Sequence, residues 1–234
     1  LADVDLDAYG GGNARDALVF LPGERWIRDA ERELKRSGPK GYEILPLYAR
    51  LTTARQQRIF TPGAAPRIVL ATNIAETSLT IEGVRGVVDA GLARVPRFDP
   101  GTGMTRLETV RVTRDAADQR RGRAGRVAPG VCWRLWTREE ERGLVPHRRP
   151  EILEADLAPL ALELAAWGAS PGDLRWLDPP PDAAYRQALE LLTELEAVAG
   201  DGALTDHGRR LAGAGLHPRL AHLVVRGAEL GARE

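Results

Sequence analysis

A single cysteine, Cys132, among 234 residues excludes an internal disulfide and the disulfide-stapled scaffolds of small secreted domains. Apolar runs are short, and none approaches the roughly 20 residues a helix needs to cross a bilayer. Net charge is missing too: 33 Lys plus Arg balance 33 Asp plus Glu, so bulk charge points to no polyanionic partner. The chain begins at Leu1 without Met and without the charged-then-apolar pattern of a signal peptide, which favours a cytoplasmic protein and a segment cut from something longer.

Several chemistries lack their residues. His147, His207, His217 and His222 stand at no metal-ligand spacing from Cys or carboxylates, so they read as structural or surface residues and no metal site is expected. There is no Gly-x-Ser-x-Gly elbow, and Cys132 lies in an apolar strand without a local His, as a small core residue does. Gly10-Gly11-Gly12 opens no strand-turn-helix fingerprint and carries no dinucleotide signal.

What is present suits a globular protein of one large or two modest domains, and two are expected: 43% of residues are hydrophobic and 28% charged. Residues 1–13 read as a linker or the tail of a preceding domain. Apolar runs then alternate with amphipathic stretches: strand Ala17–Leu21, helix Glu24–Arg36, strand Glu43–Leu47, helix Thr52–Phe60, strands Arg67–Ala71 and Gly86–Asp89. Such alternation predicts an α/β fold with a parallel sheet. Ala93–Phe98 and Met104–Val112 flank Asp99-Pro100-Gly101-Thr102-Gly103 and predict a β-hairpin. A polar helix from about Asp115 to Arg126, strand Val131–Trp136 and a short helix from Thr137 complete the first region. Pro146 to Pro150 marks a boundary. Beyond it Glu151–Trp167, Asp182–Ala199, Asp206–Ala212 and Pro218–Leu230 carry apolar residues at helical spacing, with Ala203-Leu204-Thr205 as a candidate β-wing and Thr205 or Asp206 as a helix cap.

Arginine is dense from Arg111 to Arg149, as a cleft holding a phosphate chain requires, whereas Glu151 to Asp206 leans acidic. Within it runs Gln119-Arg120-Arg121-Gly122-Arg123-Ala124-Gly125-Arg126. A helix would set Gln119, Arg123 and Arg126 on one face at i, i+4 and i+7. Helical glycines cost about 1 kcal/mol each and clustered arginines repel, so stability alone does not select this string. Guanidiniums that stay charged and fork onto phosphate oxygens suit a transferring phosphoryl group. A second string, Val69-Leu70-Ala71-Thr72-Asn73-Ile74-Ala75-Glu76-Thr77-Ser78-Leu79-Thr80-Ile81, takes a buried strand into small hydroxyl and amide side chains where open α/β sheets bind ligands. Thr72, Asn73, Thr77, Ser78 and Thr80 can bond phosphates and riboses without reading bases, and equally serve as turn and cap residues.

Together the two strings resemble motifs V and VI of the DEAH-box helicases. Leu18 to Gly23 resembles that family's motif IV, and Leu45 to Leu51 with Gln56 to Phe60 the segment after it. The likeness covers residues 17–136. Leu204-Thr205-Asp206-His207-Gly208-Arg209-Arg210-Leu211 and His217-Pro218-Arg219-Leu220 resemble the end of the winged-helix domain that follows and the first helix of the next. Asp99 to Gly103 and Trp176 to Pro180 place the resemblance nearest the bacterial HrpB branch, with HrpA second.

The resemblance implies a RecA-like second lobe at 14–148, a mostly helical winged-helix domain at 149–217, and at 218–234 the start of a truncated helical domain. It implies that Arg123 and Arg126 are arginine fingers and that Gln119 meets the γ-phosphate or the attacking water. Ser78, Thr80 and Glu82 would lie on the nucleotide, Glu82 standing where relatives often have Asp. Thr72, Asn73 and main-chain groups around Gly23 would hold a single strand of nucleic acid, RNA before DNA. There is no Gly-x-x-x-x-Gly-Lys-Ser/Thr and no Asp-Glu-Ala-His string, so a partner lobe is expected to supply the cradle for ATP with Mg²⁺. A non-catalytic nucleic-acid-binding or adaptor protein on the same scaffold stays open, as does a small-molecule enzyme on a Rossmann-like sheet, although that reading lacks its glycine-rich loop.

Overall fold

A computed structural model of the chain describes residues 16–61, 63, 65–77, 80–126 and 129–232. The expected linker at 1–13 lies outside the described residues. The chain divides into two compact units, one formed by residues 1–95 and 107–148, the other by 96–106 and 149–234.

In the first unit, apolar runs become β1 (Asp16–Phe20), β2 (Glu43–Leu47), β3 (Arg67–Ala71), β4 (Val84–Asp89) and β7 (Val131–Arg134). They pair in parallel in the order β2-β3-β1-β4-β7. β1, β3 and all but the second residue of β4 are buried, as expected of strands covered on both faces. Ala17, Val19, Ile68, Leu70 and Val88 pack with Ile27 and Leu34 of α1 (Glu24–Ser37). Leu18, Phe20, Val69, Ala71, Val84 and Val87 pack on the other side with Ile59 of α2 (Thr53–Phe60), Ala75 of α3 (Ile74–Thr77) and Ala124. A register shift in the β1–β4 pairing at Asp16/Ala17 lets Val84 and Val87, three apart, join the same cluster.

β5 (Leu92–Asp99) and β6 (Met104–Arg111) form a two-stranded hairpin. Asp99 shapes its turn, accepting from Gly101 N at 3.0 Å and Thr102 Oγ1 at 2.9 Å, while Gly103 takes φ +63. α4 (Arg114–Arg121) follows β6, and α5 (Arg138–Arg142) follows β7 with a Thr137/Glu140 capping box.

The helix expected to reach Arg126 stops at Arg121, so the one-face stripe of Gln119, Arg123 and Arg126 does not exist. Past Arg121 the bonds tighten from i−4 to i−3, with Arg123 N on Arg120 O and Ala124 N on Arg121 O, both at 3.1 Å. Gly122 and Gly125 withhold the side-chain packing and helix propensity that would carry the helix further.

The second unit is largely helical: α6 (Ala158–Trp167), α7 (Asp182–Glu194), α8 (Asp206–Gly213) and α9 (Pro218–Glu229). Leu162, Leu192, Val198, Leu211 and Ala221 share its core, which therefore includes α9. The expected helix Glu151–Trp167 is interrupted, with a 3-10 turn at Glu151–Leu153, because Asp156 Oδ1 accepts from Ala158 N at 2.9 Å and starts α6 afresh. The helix expected over Asp182–Ala199 ends at Glu194, two residues before Glu196 turns left-handed at φ 57. A single antiparallel bridge, Val198 to Leu204, is what the structure shows of the expected wing, and Thr205 is the cap of α8, accepting from Gly208 N at 2.9 Å.

Candidate nucleotide and nucleic-acid interface

Two buried ion-pair systems hold the first unit's two informative strings in place. Arg67, at the start of β3, donates through Nε to Asp16 Oδ2 at 2.7 Å, through Nη1 to Ile59 O at 2.8 Å and through Nη2 to Glu82 O at 3.0 Å. It thereby fixes the loop into β4 through the main chain of Glu82, whose side chain stays exposed. Gly83 belongs to the same loop: its φ of +90 would strain any other residue, and a Cβ there would press on Asp16 Oδ2 at 3.1 Å.

Arg120 anchors the arginine string. Its side chain is 1% exposed and donates through Nη1 to Asp89 Oδ1 at 2.8 Å and through Nε to Glu76 Oε2 at 3.1 Å. The guanidinium carbon lies 4.9 Å from the Phe20 ring centroid, a cation–π contact away from water. Sequence reasoning passed over this residue. Its signals were Asp89, a carboxylate ending an apolar strand, and the spacing of Arg120 four and three residues from Ala116 and Ala117, both buried on the same helix. Helical periodicity therefore puts Arg120, not Gln119, on the covered face.

With Arg120 pinned, the following turn brings the two strings together. Arg123 donates to the main-chain carbonyl of Glu76, and Arg126 Nη1 donates to Thr80 Oγ1 at 2.7 Å. Both arginines line one pocket with Leu18, Ala75, Ile81 and Val84. Burial pushes the Arg123 guanidinium below its ordinary value and the charge of Arg126 pushes it the same way, with Glu76 opposing. A guanidinium so far above neutrality stays charged, so the pocket holds two mutually repelling cations that an anion would relieve.

The other expected residues are placed as follows. Gln119 is exposed on α4. Thr72 and Asn73 follow the C-terminal end of β3, and their carbonyls accept from Ala75 N at 3.2 Å and Glu76 N at 2.9 Å, starting α3. Gly23 caps α1 just past β1, where a Cβ would lie 3.1 Å from Arg94 Cδ, so glycine leaves room for the hairpin's first arginine. Ser78 lies outside the described residues. Elsewhere in the arginine-dense stretch, Arg111 pairs with Glu140, Arg121 with Asp118, and Arg134 with Asp118 and Glu141.

Burial pushes the Cys132 thiol up to about 11, so it is protonated at neutral pH and a poor nucleophile. Among the described residues no three His, Cys, Asp or Glu could hold a metal ion, and no helix is long and apolar enough to cross a membrane. The histidines have partners: His207 with His222 at 3.0 Å, His217 with Asp156 at 2.9 Å, His147 with Asp115 at 3.2 Å.

The profile of the Helicase conserved C-terminal domain matches residues 6–128. The chain is 43% identical over 211 residues to the ATP-dependent RNA helicase HrpB of Escherichia coli, covering 89% of this chain and 26% of that protein. To the ATP-dependent RNA helicase HrpA of E. coli it is 38% identical over 224 residues, covering 92% of this chain and 17% of that protein. The crystal structure of the E. coli DEAH/RHA helicase HrpB superposes with a TM-score of 0.83 at 42% identity, covering 90% of this chain and 27% of that one. The chain thus spans about a quarter or less of the length of these relatives, and its parallel sheet is the RecA-like fold. On the match of more than half its length, the chain belongs to the helicase conserved C-terminal domain family, and its likeness is to the HrpB-type DEAH helicases.

Proposed function

We propose that this chain is the second RecA-like lobe, at 14–148, and the winged-helix region, at 149–217, of a cytoplasmic ATP-dependent DEAH-type RNA helicase. The helix from Pro218 would lead into a further helical region. The observation that carries the reading is one small pocket lined by both Arg123 and Arg126, two permanent cations, with Arg126 held by Thr80. A transferring phosphoryl group develops negative charge on its outer oxygens, and preorganised guanidiniums stabilise that charge without reorganising during the reaction.

In this mechanism a first lobe holds ATP and Mg²⁺, and closure sets Arg123 and Arg126 on the γ-phosphoryl group, with Gln119 at the γ-phosphate or the attacking water. Ser78, Thr80 and Glu82 lie along the nucleotide. Thr72, Asn73 and the main chain at Gly23 grip the backbone of a single RNA strand, which fits their position beyond the C-terminal ends of β3 and β1. Reopening after hydrolysis shifts that grip.

The test is ATP turnover, with and without oligonucleotide, by this chain alone and by this chain mixed with a separately expressed first lobe. Turnover only in the mixture is the expected result. Robust hydrolysis by the chain alone would overturn the proposal, and RNA binding with no turnover in the mixture would favour an adaptor.

A further inference from the structure

Glu76 makes three contacts, each on a different part of the residue. Its main-chain N–H donates to Asn73 O at 2.9 Å, its carbonyl accepts from the Arg123 guanidinium, and its carboxylate accepts from Arg120 Nε at 3.1 Å. Arg120 does not need that carboxylate for charge balance, because fully buried Asp89 pairs with it at 2.8 Å. One residue thus holds both arginines, Arg120 through its carboxylate and Arg123 through its carbonyl.

The geometry points to Glu76 as a positioning residue that couples the grip on the single strand to the finger Arg123. The inference rests on the functional reading above and adds a residue to which the sequence assigned no role. α3 is one helical turn, held at its start by the carbonyls of Thr72 and Asn73. A backbone shift at Thr72–Asn73 when a strand binds is carried along that turn to the Glu76 carbonyl, and with it the acceptor of Arg123. The Glu76 carboxylate fixes the turn's other side to Arg120, which is itself bonded to Asp89 and lies against the Phe20 ring. Displacement of a catalytic group by about 1 Å is enough to change a rate on the order of 10²-fold. Coupling of this kind needs a continuous physical path, and here it is five residues of backbone and one side chain.

The experiment uses the full-length helicase containing this chain, as wild type, Glu76→Gln and Glu76→Ala. It measures kcat and KM for ATP with and without saturating single-stranded RNA, the Kd for that RNA, and the urea midpoint. Wild type should be stimulated by RNA. Glu76→Ala should lose about tenfold of the stimulated kcat, within the roughly 5–150-fold span of coupling between sites. Its KM for ATP and Kd for RNA should stay within about threefold of wild type. Glu76→Gln keeps an acceptor for Arg120 Nε and should recover part of the loss. Unchanged stimulation in both variants, or KM and Kd moving as far as kcat, overturns the coupling role. If Glu76→Ala does not fold, Glu76→Gln decides by the same criteria. A wild-type enzyme unstimulated by RNA would instead overturn the functional reading itself, and this inference with it.

Discussion

Arg120 Nη1 and Asp89 Oδ1 meet at 2.8 Å with side chains 1% and 0% exposed, and this pair fixes the end of α4 against the end of β4. Asp89 Oδ1 also accepts from Gly91 N at 2.9 Å, so both elements turn away from one carboxylate. Arg120→Ala would leave Asp89 charged, buried and without its partner, a change that costs about 3–5 kcal/mol. Urea unfolding of the isolated chain should show that loss. Arg121→Ala, one residue along and exposed, should cost under about 1 kcal/mol.

The hairpin of β5 and β6 presents Arg94, Arg97, Arg106 and Arg111 on exposed positions, with Met104 and Leu107 exposed beside them. Replacing Asp99 to Gly103 by a two-residue turn in the full-length protein should lower strand separation several-fold more than RNA-stimulated ATP turnover. Parallel measurements on a duplex and on single-stranded RNA check this, and an equal fall in both would make the hairpin a structural element only.

His207 is buried between α8 and α9, its Nε2 3.0 Å from His222 Nδ1. Burial holds its pKa below the ordinary 6.5, and the neighbouring Arg226, His222 and Arg210 push the same way, with Glu229 opposing. The folded state therefore takes up this proton less readily than the unfolded chain. The stability at stake is fully present above about pH 6.5 and is lost as pH falls through the lower folded value. Thermal unfolding of the helical unit should weaken between pH 7 and 5, and His207→Gln should flatten that slope. A slope unchanged by the substitution would assign the effect elsewhere.

The parallel sheet was legible because its strands are punctuated. β2 and β3 run over the expected residues, Glu43–Leu47 and Arg67–Ala71; Pro66 precedes β3 and polar Thr72 ends it. α4 was misjudged because charge spacing was read as helical through Gly122, where local propensity gives the chain to a tight turn. The meeting of Arg126 with Thr80 was not readable, since it spans 46 positions and depends on that turn. Arg120 was hidden among four arginines that composition cannot tell apart. Its helical spacing from buried Ala116 and Ala117 and its distant partners, Glu76 and Asp89, mark it as the buried one.

The most direct measurement is the ATP turnover of Arg126→Ala in the full-length protein, taken beside its affinity for single-stranded RNA. Arg126 is exposed and donates to the hydroxyl of Thr80, so the substitution should leave folding intact. If the pocket of Arg123 and Arg126 completes a phosphoryl-transfer site, turnover falls by about 10³-fold or more while RNA affinity stays within about threefold. Near-normal turnover by this variant would contradict the assignment.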